Sequence, residues 1–590
     1  MNPDTLHLKP SQVLRLLGLV TWLAFDGWGS AGATLELLIT PKFSGEPIQP
    51  DSLRYQTSVG ERFSFTRVSW LASGFALQRS DGSWLELTNR IAWFDLERGR
   101  SEWPLQELPA ATYRSLRFDV GLGETLNHAD PAQFPADHPL NPNLNGLHWN
   151  WQSGYIFMAL EGRWRNAAGS LDGWSYHFAN DTHRTRITLA AELRLTNDTK
   201  LELNFDLASL LNAPRPLSFA KDGSSTHSRP GDPISSALGA NLPGAFSINR
   251  LSATATLPVK VSSVTPLYLP ETFTPYPFKM SSTFPMPNLP QDNSLIAERV
   301  SLGERLFHET ALSKDGMISC AACHNSKHAF SDPRQFSVGV RQQSGTRNSM
   351  PLFNLAWRNS FFWDGRAPSL RAQALMPIED PTEMDETLVN VVEKLTHQAK
   401  YLPLFAAAFG SSEITAEKIG LAIESFLLTQ TSFDSKFDRA LKGHAELSAE
   451  ERRGFELFMT EYEPRREQYG ADCFHCHGGP LFQSQTFANN GLDSVFKDIG
   501  RAKVTGKSSD TGKFATPSLR NIALTAPYMH DGRFAKLEDV VEHYSTGLKR
   551  GETLDPNLAK HPSGGIRLSD ADQKALVEFL RSLTDEKFLN

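Results

Sequence analysis

Two short motifs carry the clearest chemistry in this 590-residue sequence, and together they use all four of its cysteines. One is Cys320-Ala321-Ala322-Cys323-His324 and the other is Cys473-Phe474-His475-Cys476-His477. A C-x-x-C-H segment attaches a c-type haem, because both thiols form thioethers to the porphyrin and the histidine becomes an axial iron ligand. A thioredoxin-like dithiol or a split zinc site is an alternative for one isolated pair. Two copies, each with the trailing histidine, favour two covalently bound haem c groups.

The composition indicates an exported, globular chain of several domains. A chain of 590 residues is too long to fold around a single hydrophobic core. Its content of 40% hydrophobic and 21% charged residues is ordinary for globular proteins. The net charge of −7 disfavours a nucleic-acid partner, because binding nucleic acid needs a basic protein surface.

Residues 1–33 fit a secretory signal peptide. Lys9 and Arg15 supply positive charge, and the apolar stretch Leu16–Phe25 is too short to span a membrane. We therefore expect a periplasmic protein without membrane contact after signal cleavage. A single N-terminal anchor helix is the alternative.

Alternating apolar and polar residues predict an all-β domain, a sandwich or barrel, over residues 34–261. The clearest segment is Arg186–Leu207, where two alternating runs flank Asn197-Asp198 and predict a hairpin with one buried face. Shorter alternations lie near Leu35–Ile39, Phe63–Leu77 and Ala253–Val261.

A proline-rich connector and a helical half follow this domain. Residues 262–294 contain seven prolines, a density that prevents helices and central strands and predicts an extended linker. Beyond it the pattern is helical, with capping signatures at Ser448–Glu451 and Ser569–Asp572. We predict a mainly α module of two lobes, residues 295–440 and 441–590, each wrapped around one haem.

A series of short segments runs through the helical half. They are, in order, Leu302–Phe307, the first haem motif, Phe362–Arg366, Gln373 with Pro377 and Glu383-Met384, the second haem motif, and Thr525–Gly532. In their joint order they resemble the di-haem cytochrome c peroxidase and MauG superfamily over the whole length of this half. The resemblance implies a peroxide-dependent oxidoreductase in which Gln373, Pro377 and Glu383 line the peroxide side of the first haem. It also implies that Trp363 bridges the two haems. Glu383 suits its role, since a buried carboxylate can move a proton between the oxygens of hydrogen peroxide.

The same resemblance implies a calcium ion between the haems, held by Asn348, Thr525 and Pro527, and oxygen donors suit that metal. It places a ligand of the second haem at Tyr544, where peroxidases of the superfamily have methionine and the MauG-like branch has tyrosine. A phenolate stabilises oxidised iron, whereas Met/His ligation raises the potential and suits an electron relay. His543 is the alternative ligand, but it should point to another face of a helix.

The β-rich domain concentrates tryptophan: eight of the twelve tryptophans lie between residues 70 and 174, and His148–Tyr155 is the densest cluster. In this pattern the domain resembles the MbnP-like domain, whose usual separate partner MbnH is a MauG-like di-haem enzyme. In that family a tryptophan becomes kynurenine and histidines beside it bind copper, for which imidazole is a good ligand. The resemblance thus implies copper candidates and oxidation candidates, which are respectively His128, His148 and His177, and Trp149, Trp151 and Trp70. All six can also be ordinary loop or core residues.

Three functions remain open from the sequence. In the first, the haem half uses hydrogen peroxide to oxidise a tryptophan of its own N-terminal domain, which then binds copper. In the second, the chain is a respiratory cytochrome c peroxidase that takes electrons from a cytochrome c or cupredoxin, with the β domain used for docking. In the third, the β domain scavenges copper and the haems cycle it between Cu(II) and Cu(I). Tyr544 and the tryptophan-rich domain favour the first.

Overall fold

A computed structural model describes residues 32–149, 154–253 and 268–589. The predicted signal peptide, Trp151 and the expected strand beyond Ala253 lie outside the described residues. Within the described ranges, no helix is long and apolar enough to cross a membrane. The predicted β-rich N-terminal domain and mainly helical C-terminal half are both present, and the second divides into two lobes with separate hydrophobic cores.

The N-terminal domain is built from two sheets around one core. Its strands are β1 (Ala33–Phe43), β2 (Glu46–Pro47), β3 (Tyr55–Gln56), β4 (Arg62–Phe63), β5 (Arg67–Arg79), β6 (Trp84–Glu86), β7 (Ala92–Asp95), β8 (Glu102–Leu108), β9 (Ala111–Val120), β10 (His148–Trp149), β11 (Gly154–Arg165), β12 (Leu171–Ala179), β13 (Thr185–Leu195), β14 (Thr199–Asp206), β15 (Ser225–Thr226) and β16 (Phe246–Ala253). Its helices are α1 (Glu124–Asn127), α2 (Pro142–Asn145), α3 (Leu207–Asn212) and α4 (Pro233–Ala245). The smaller sheet has the order β16-β14-β1-β2 with β8 also on β1, and the larger is built on β13-β9-β5-β11-β12-β15.

The predicted hairpin over Arg186–Leu207 is wrong, although both of its strands exist. β13 pairs with β9 in the larger sheet, whereas β14 pairs with β1 and β16 in the smaller one. The turn at Asn197-Asp198 therefore carries the chain from one sheet to the other, and the Asp198 carboxylate accepts a hydrogen bond from the Thr34 N–H at 2.8 Å. Alternation reports which face of a strand is buried but not which strand lies beside it.

The C-terminal half consists mainly of helices with short connecting turns. These are α5 (Ala297–Phe307), α6 (Cys320–Cys323), α7 (Leu370–Glu379), α8 (Leu388–Thr396), α9 (Tyr401–Phe409), α10 (Ala416–Leu428), α11 (Lys436–Leu441), α12 (Ala449–Met459), α13 (Phe474–His477), α14 (Ala502–Thr505), α15 (Leu537–Glu542), α16 (Pro556–Ala559) and α17 (Asp570–Ser582), with strands β17 (Tyr462–Glu463), β18 (Gln468–Tyr469), β19 (Phe487–Ala488) and β20 (Phe514–Ala515). The capping predictions are confirmed, since Ser448 and Ser569 each cap the helix that follows. The described part of the linker packs on the first lobe, where the Trp357 indole donates to the Pro285 carbonyl at 2.7 Å.

Both lobes repeat one close helix crossing that a glycine makes possible. In the first lobe α5 meets α10 at Gly303, where an added Cβ would lie 1.9 Å from the Ala422 carbonyl oxygen. In the second lobe α12 meets α17 at Gly454, where a Cβ would lie 2.0 Å from the Ala575 carbonyl oxygen. Each lobe thus contains one close helix crossing of this kind and one haem motif.

Replacing Gly454 by alanine should lower the free energy of unfolding, because α12 and α17 must move apart to admit the methyl group. Overpacking of this kind costs about 1–3 kcal/mol, and denaturant unfolding of the haem-loaded protein measures it. Gly551→Ala is the matched control, since an added Cβ there has nothing within 4 Å. Equal stability of the two variants would contradict the close crossing.

Candidate functional site

The first haem motif forms one helical turn, and hydrogen-bonding groups contact the Nδ1 atom of its histidine, His324. Cys320–Cys323 form α6, and His324 is its C-cap. His324 Nδ1 lies 3.0 Å from the Phe330 carbonyl oxygen and 3.2 Å from Ser349 Oγ. Burial lowers the pKa of His324, which favours a neutral ring whose Nε2 can bind iron. Fixing a metal-binding histidine through its other nitrogen is the usual arrangement at metal sites.

Two of the predicted peroxide-side residues share a cavity in the first lobe. Glu383 and Pro377 line a space of about 240 Å³ together with Asp380 and Arg366. Burial, with a smaller contribution from the Asp380 charge, raises the pKa of Glu383 to about 7, while Arg366 opposes the shift. A carboxyl group that titrates near neutrality can both accept and return a proton. Gln373 lies half-buried on α7 with Pro377 but does not line this cavity.

The second haem motif lines a cavity of its own. Cys473, Cys476 and His477 line it together with Tyr544, and its volume is about 210 Å³. His477 Nδ1 lies 3.1 Å from the Pro517 carbonyl oxygen, and burial lowers the pKa of the ring to about 4. The cavity, the two thiols and the neutral imidazole fit a covalently bound porphyrin.

Tyr544 and His543 have different surroundings in the same turn. His543–Gly547 form a one-turn π-helix after α15, a rare element that is frequent at functional sites. The Tyr544 side chain lines the haem cavity, and burial raises the pKa of its phenol while a hydrogen bond with Asn490 opposes the shift. His543 Nε2 lies 2.9 Å from the Asn490 carbonyl oxygen instead. This geometry favours Tyr544 over His543 as a ligand of the second haem.

Trp363 and the calcium candidates Asn348, Thr525 and Pro527 all line this cavity. The Trp363 indole N–H donates to the Asn348 carbonyl oxygen at 2.8 Å. The Ala515 N–H donates to the Trp363 carbonyl oxygen at 2.7 Å. Residues of both lobes therefore hold the predicted bridge tryptophan in place, with Asn348 as its partner in the first lobe.

The N-terminal domain packs on the second lobe, close to its haem motif. β12 lies against α16 so closely that a Cβ on Gly173 would be 1.7 Å from the Pro556 carbonyl oxygen. The buried Arg163 guanidinium donates to the Leu554 carbonyl oxygen at 2.6 Å. The two halves of the chain thus meet in a close-packed, hydrogen-bonded interface.

Three histidines come together in this interface, and only one of them was a copper candidate. His177 lies on β12, His227 follows β15, and His475 is the variable residue inside the second haem motif. One ring nitrogen from each lies within 4.8 Å of the other two. Sequence reasoning missed His227 and His475 because no spacing rule links residues so far apart in the chain.

The other two copper candidates lie outside this histidine cluster. His128 Nε2 pairs with the Asp181 carboxylate at 2.7 Å, on a partly exposed loop. The His148 ring packs on Tyr155, with ring centroids 4.7 Å apart. His128 and His148 were predicted as copper ligands because they lie near tryptophans in the sequence. In the fold, His177 lies with His227 and His475 instead.

The described tryptophan candidates differ in their relation to the histidine cluster. The buried Trp149 ring lies 5.2 Å from His227 and 6.0 Å from His177, measured between ring centroids. Trp70 stacks on Phe94 at 5.0 Å inside the β-domain core. Of these two residues, Trp149 is the one in contact with the cluster.

Comparison with known proteins accounts for both halves of the chain. Residues 32–228 match the MbnP family model, and residues 297–446 match the model described as di-haem cytochrome c peroxidase. The methylamine utilization protein MauG of Methylorubrum extorquens is 38% identical over 301 residues, which are 50% of this chain and 81% of that protein. Cytochrome c551 peroxidase of Nitrosomonas europaea is 36% identical over 42% of this chain and 72% of its own length. The crystal structure of a MauG-like protein associated with microbial copper homeostasis is 33% identical with a TM-score of 0.48, over 53% of this chain and 97% of that one.

Replacing Cys473 and Cys476 by alanine should remove one of two covalently bound haems, because thioethers can no longer form in the second lobe. A pyridine haemochrome assay on denatured protein measures the haem content. The matched control replaces Cys320 and Cys323 and should also leave one haem, with the spectrum of the other site. Haem extracted by acid acetone from the unmodified protein would contradict covalent attachment.

Tyr544→Met should raise the reduction potential of the second haem, because a thioether stabilises ferrous iron relative to a phenolate. A spectroscopic redox titration of the haem-loaded protein measures the shift. His543→Gln is the control and should leave the potential near that of the unmodified protein, since His543 lies against a backbone carbonyl. An unchanged spectrum and potential in Tyr544→Met would show that Tyr544 is not a ligand of the haem iron.

Proposed function

The chain belongs to the di-haem cytochrome c peroxidase family that includes MauG, with an MbnP domain at its N-terminus, and we propose that it oxidises its own Trp149 with hydrogen peroxide. One observation carries the proposal: the Trp149 ring lies against His227, and His227 reaches the turn that attaches the second haem. The oxidising centre and an oxidisable side chain are thus adjacent parts of one molecule.

Glu383 is the residue proposed to manage the peroxide protons. The two c-type haems, when bound, supply the iron chemistry that cleaves peroxide and stores its two oxidising equivalents. The Glu383 carboxylate can take a proton from one peroxide oxygen and return it to the other, and a pKa of about 7 suits both steps. Reduction of each peroxide to two waters consumes two protons and two electrons. The tryptophan releases four electrons and four protons as two waters add to form N-formylkynurenine, so one modification consumes two peroxides, and hydrolysis with loss of formate then gives kynurenine.

The route for those electrons requires no contact between Trp149 and iron. The Trp149 and His227 ring centroids are 5.2 Å apart, and His227 Nε2 lies 3.3 Å from His475 Nε2. His475 lies on α13 between Cys473 and Cys476. Trp70 lacks such a connection among its described contacts, because it packs on aromatic side chains of its own domain.

The remaining parts of the proposal follow from the two families. Oxidation of Trp149 to kynurenine places a ketone and an aromatic amine beside the histidine cluster, and the modified domain then binds copper. A calcium ion at Asn348, Thr525 and Pro527 stiffens the region between the haems. The N-terminal signal sequence directs the protein to the periplasm.

A respiratory peroxidase is the second candidate function, favoured by the similarity to the cytochrome c551 peroxidase of Nitrosomonas europaea. A cytochrome c or cupredoxin would then supply the electrons. Tyr544 in the cavity of the second haem favours the first candidate instead, because a phenolate ligand stabilises oxidised iron and suits an electron relay poorly.

Haem-loaded protein treated with peroxide should carry the mass increase of N-formylkynurenine or kynurenine at Trp149, located by peptide mass spectrometry. Glu383→Gln keeps the side-chain size but removes the proton carrier, so we expect modification to slow by about 10²–10⁴-fold. Glu379→Gln, on the rim of the same cavity, is the matched control and should retain the modification.

Two results would contradict this function. Modification at Trp70 with Trp149 intact would show that the electron route is wrong. Protein that turns over peroxide with an added electron donor while every tryptophan stays unmodified would favour the respiratory peroxidase.

A further inference from the structure

A chain of three rings, His561, Tyr462 and Tyr469, leads from the cavity of the second haem to the protein surface. We propose that it is a second electron route, through which the haem module oxidises small one-electron donors of the phenol class at Tyr469. The proposal rests on the peroxide chemistry of the di-haem family and goes beyond the proposed function, because it does not depend on oxidation of Trp149.

His561 is the inner member of this chain. Its buried ring lines the cavity of the second haem together with Cys473 and Cys476. Its Nε2 lies 3.1 Å from the carboxylate of Asp472, the residue directly before Cys473. The imidazole therefore lies beside the two thiols that would attach the porphyrin.

Two tyrosines continue the chain outward. Tyr462 on β17 packs on the His561 ring, with ring centroids 5.1 Å apart, and Tyr469 on β18 packs on Tyr462 with centroids 6.2 Å apart. Both distances lie within the range of direct contact between aromatic rings, about 4.5–7 Å. His561 is 3% exposed and Tyr469 is 59% exposed, so the three rings connect the interior of the second lobe with solvent.

The hairpin formed by β17 and β18 holds the two phenols next to the haem-attachment turn. Tyr462 lies opposite Tyr469 in the register of the two strands. Just beyond the hairpin, the Asp472 N–H donates to the Thr460 carbonyl oxygen at 3.1 Å, immediately before Cys473. The backbone that carries Tyr469 therefore continues directly into the turn that attaches the haem.

Packing of the rings does not by itself require the two hydroxyl groups. A pair of aromatic residues opposite each other stabilises a short hairpin, and two phenylalanines would serve this purpose as well as Tyr462 and Tyr469. A phenol differs from a phenyl ring because it can lose an electron together with its hydroxyl proton. At Tyr469 that proton can pass directly to water, since the side chain is largely exposed.

The electrons and protons of this oxidation balance against those of peroxide reduction. Reduction of one peroxide to two waters takes up two electrons and two protons. Two phenol donors supply them, because each donor loses one electron and its hydroxyl proton. One peroxide and two phenols thus give two waters and two phenoxyl radicals. Tyr469 passes each electron inward through Tyr462 and is restored by the donor.

The route to Tyr469 and the route proposed for Trp149 separate at Asp472. One oxygen of the Asp472 carboxylate lies 2.8 Å from His475 Nδ1, and the other lies 3.1 Å from His561 Nε2. His475 leads to the β domain, whereas His561 leads to the hairpin of the second lobe. Oxidising equivalents that arrive after Trp149 has been modified therefore have a path to the surface outside the β domain.

The test adds peroxide to the haem-loaded full chain with a nitroso spin trap and locates the radical adducts by peptide mass spectrometry. We expect an adduct at Tyr469 that is lost in Tyr469→Phe and reduced in Tyr462→Phe, since phenylalanine keeps the ring packing but not the phenol. Peroxide-dependent oxidation of guaiacol, a small phenol, should fall in the same two variants. Both variants should retain two haems and the Soret spectrum of the unmodified protein.

Tyr268→Phe is the matched control, because Tyr268 packs on Phe409 in the first lobe and its hydroxyl donates to the Glu417 carboxylate. This variant should retain both the adduct at Tyr469 and the oxidation of guaiacol. Adducts confined to other residues of the unmodified protein, or guaiacol oxidation at the full rate in Tyr469→Phe, would overturn the proposal.

The state of Trp149 separates this proposal from the proposed function. Tyr469→Phe should still gain the kynurenine mass at Trp149, because the route to Trp149 leaves the haem turn through His475. Protein that forms the Tyr469 adduct while Trp149 stays unmodified would support the route to the surface and reject the proposed function. Protein in which Trp149 is modified but Tyr469 carries no adduct would do the reverse.

Discussion

The close packing of β12 against α16 holds the two halves of the molecule in one arrangement. Gly173 leaves no room for a side chain above the Pro556 carbonyl, so the β domain approaches the second lobe to backbone contact. This approach brings Trp149 and His227 to the turn that carries His475. Because both halves belong to one chain, their effective concentration is high and a small interface suffices to keep them together.

The interface is rich in buried charge, which points to a role in orientation. Lys560 contacts both Glu461 and Asp472, and His561 Nε2 lies 3.1 Å from the same Asp472. Removing such groups from water largely cancels their mutual attraction, so a buried network of this kind adds little to stability. It does fix the direction of His227 and His475, whose rings the same carboxylates contact. The electron route proposed for Trp149 depends on that direction.

Local patterns in the sequence were sufficient for the haem motifs, the helix caps and the division into β-rich and helical halves. Each of these depends on residues within a few positions of one another. The failures are all non-local. The hairpin predicted at Asn197-Asp198 is instead a connection between the two sheets. The prediction failed because alternation of apolar and polar residues does not indicate which strands pair. His475 is in the variable position of a haem motif, and its contact with His227 exists only because the β domain packs on that lobe.

The central claim is that each chain oxidises its own Trp149 across this interface. Isotopically heavy Glu383→Gln protein, mixed with light active protein before peroxide is added, tests it directly by peptide mass spectrometry. A fixed interface predicts modified Trp149 in the light chains alone, at every protein concentration. Modified Trp149 in the heavy chains, in a fraction that rises with concentration, would contradict it.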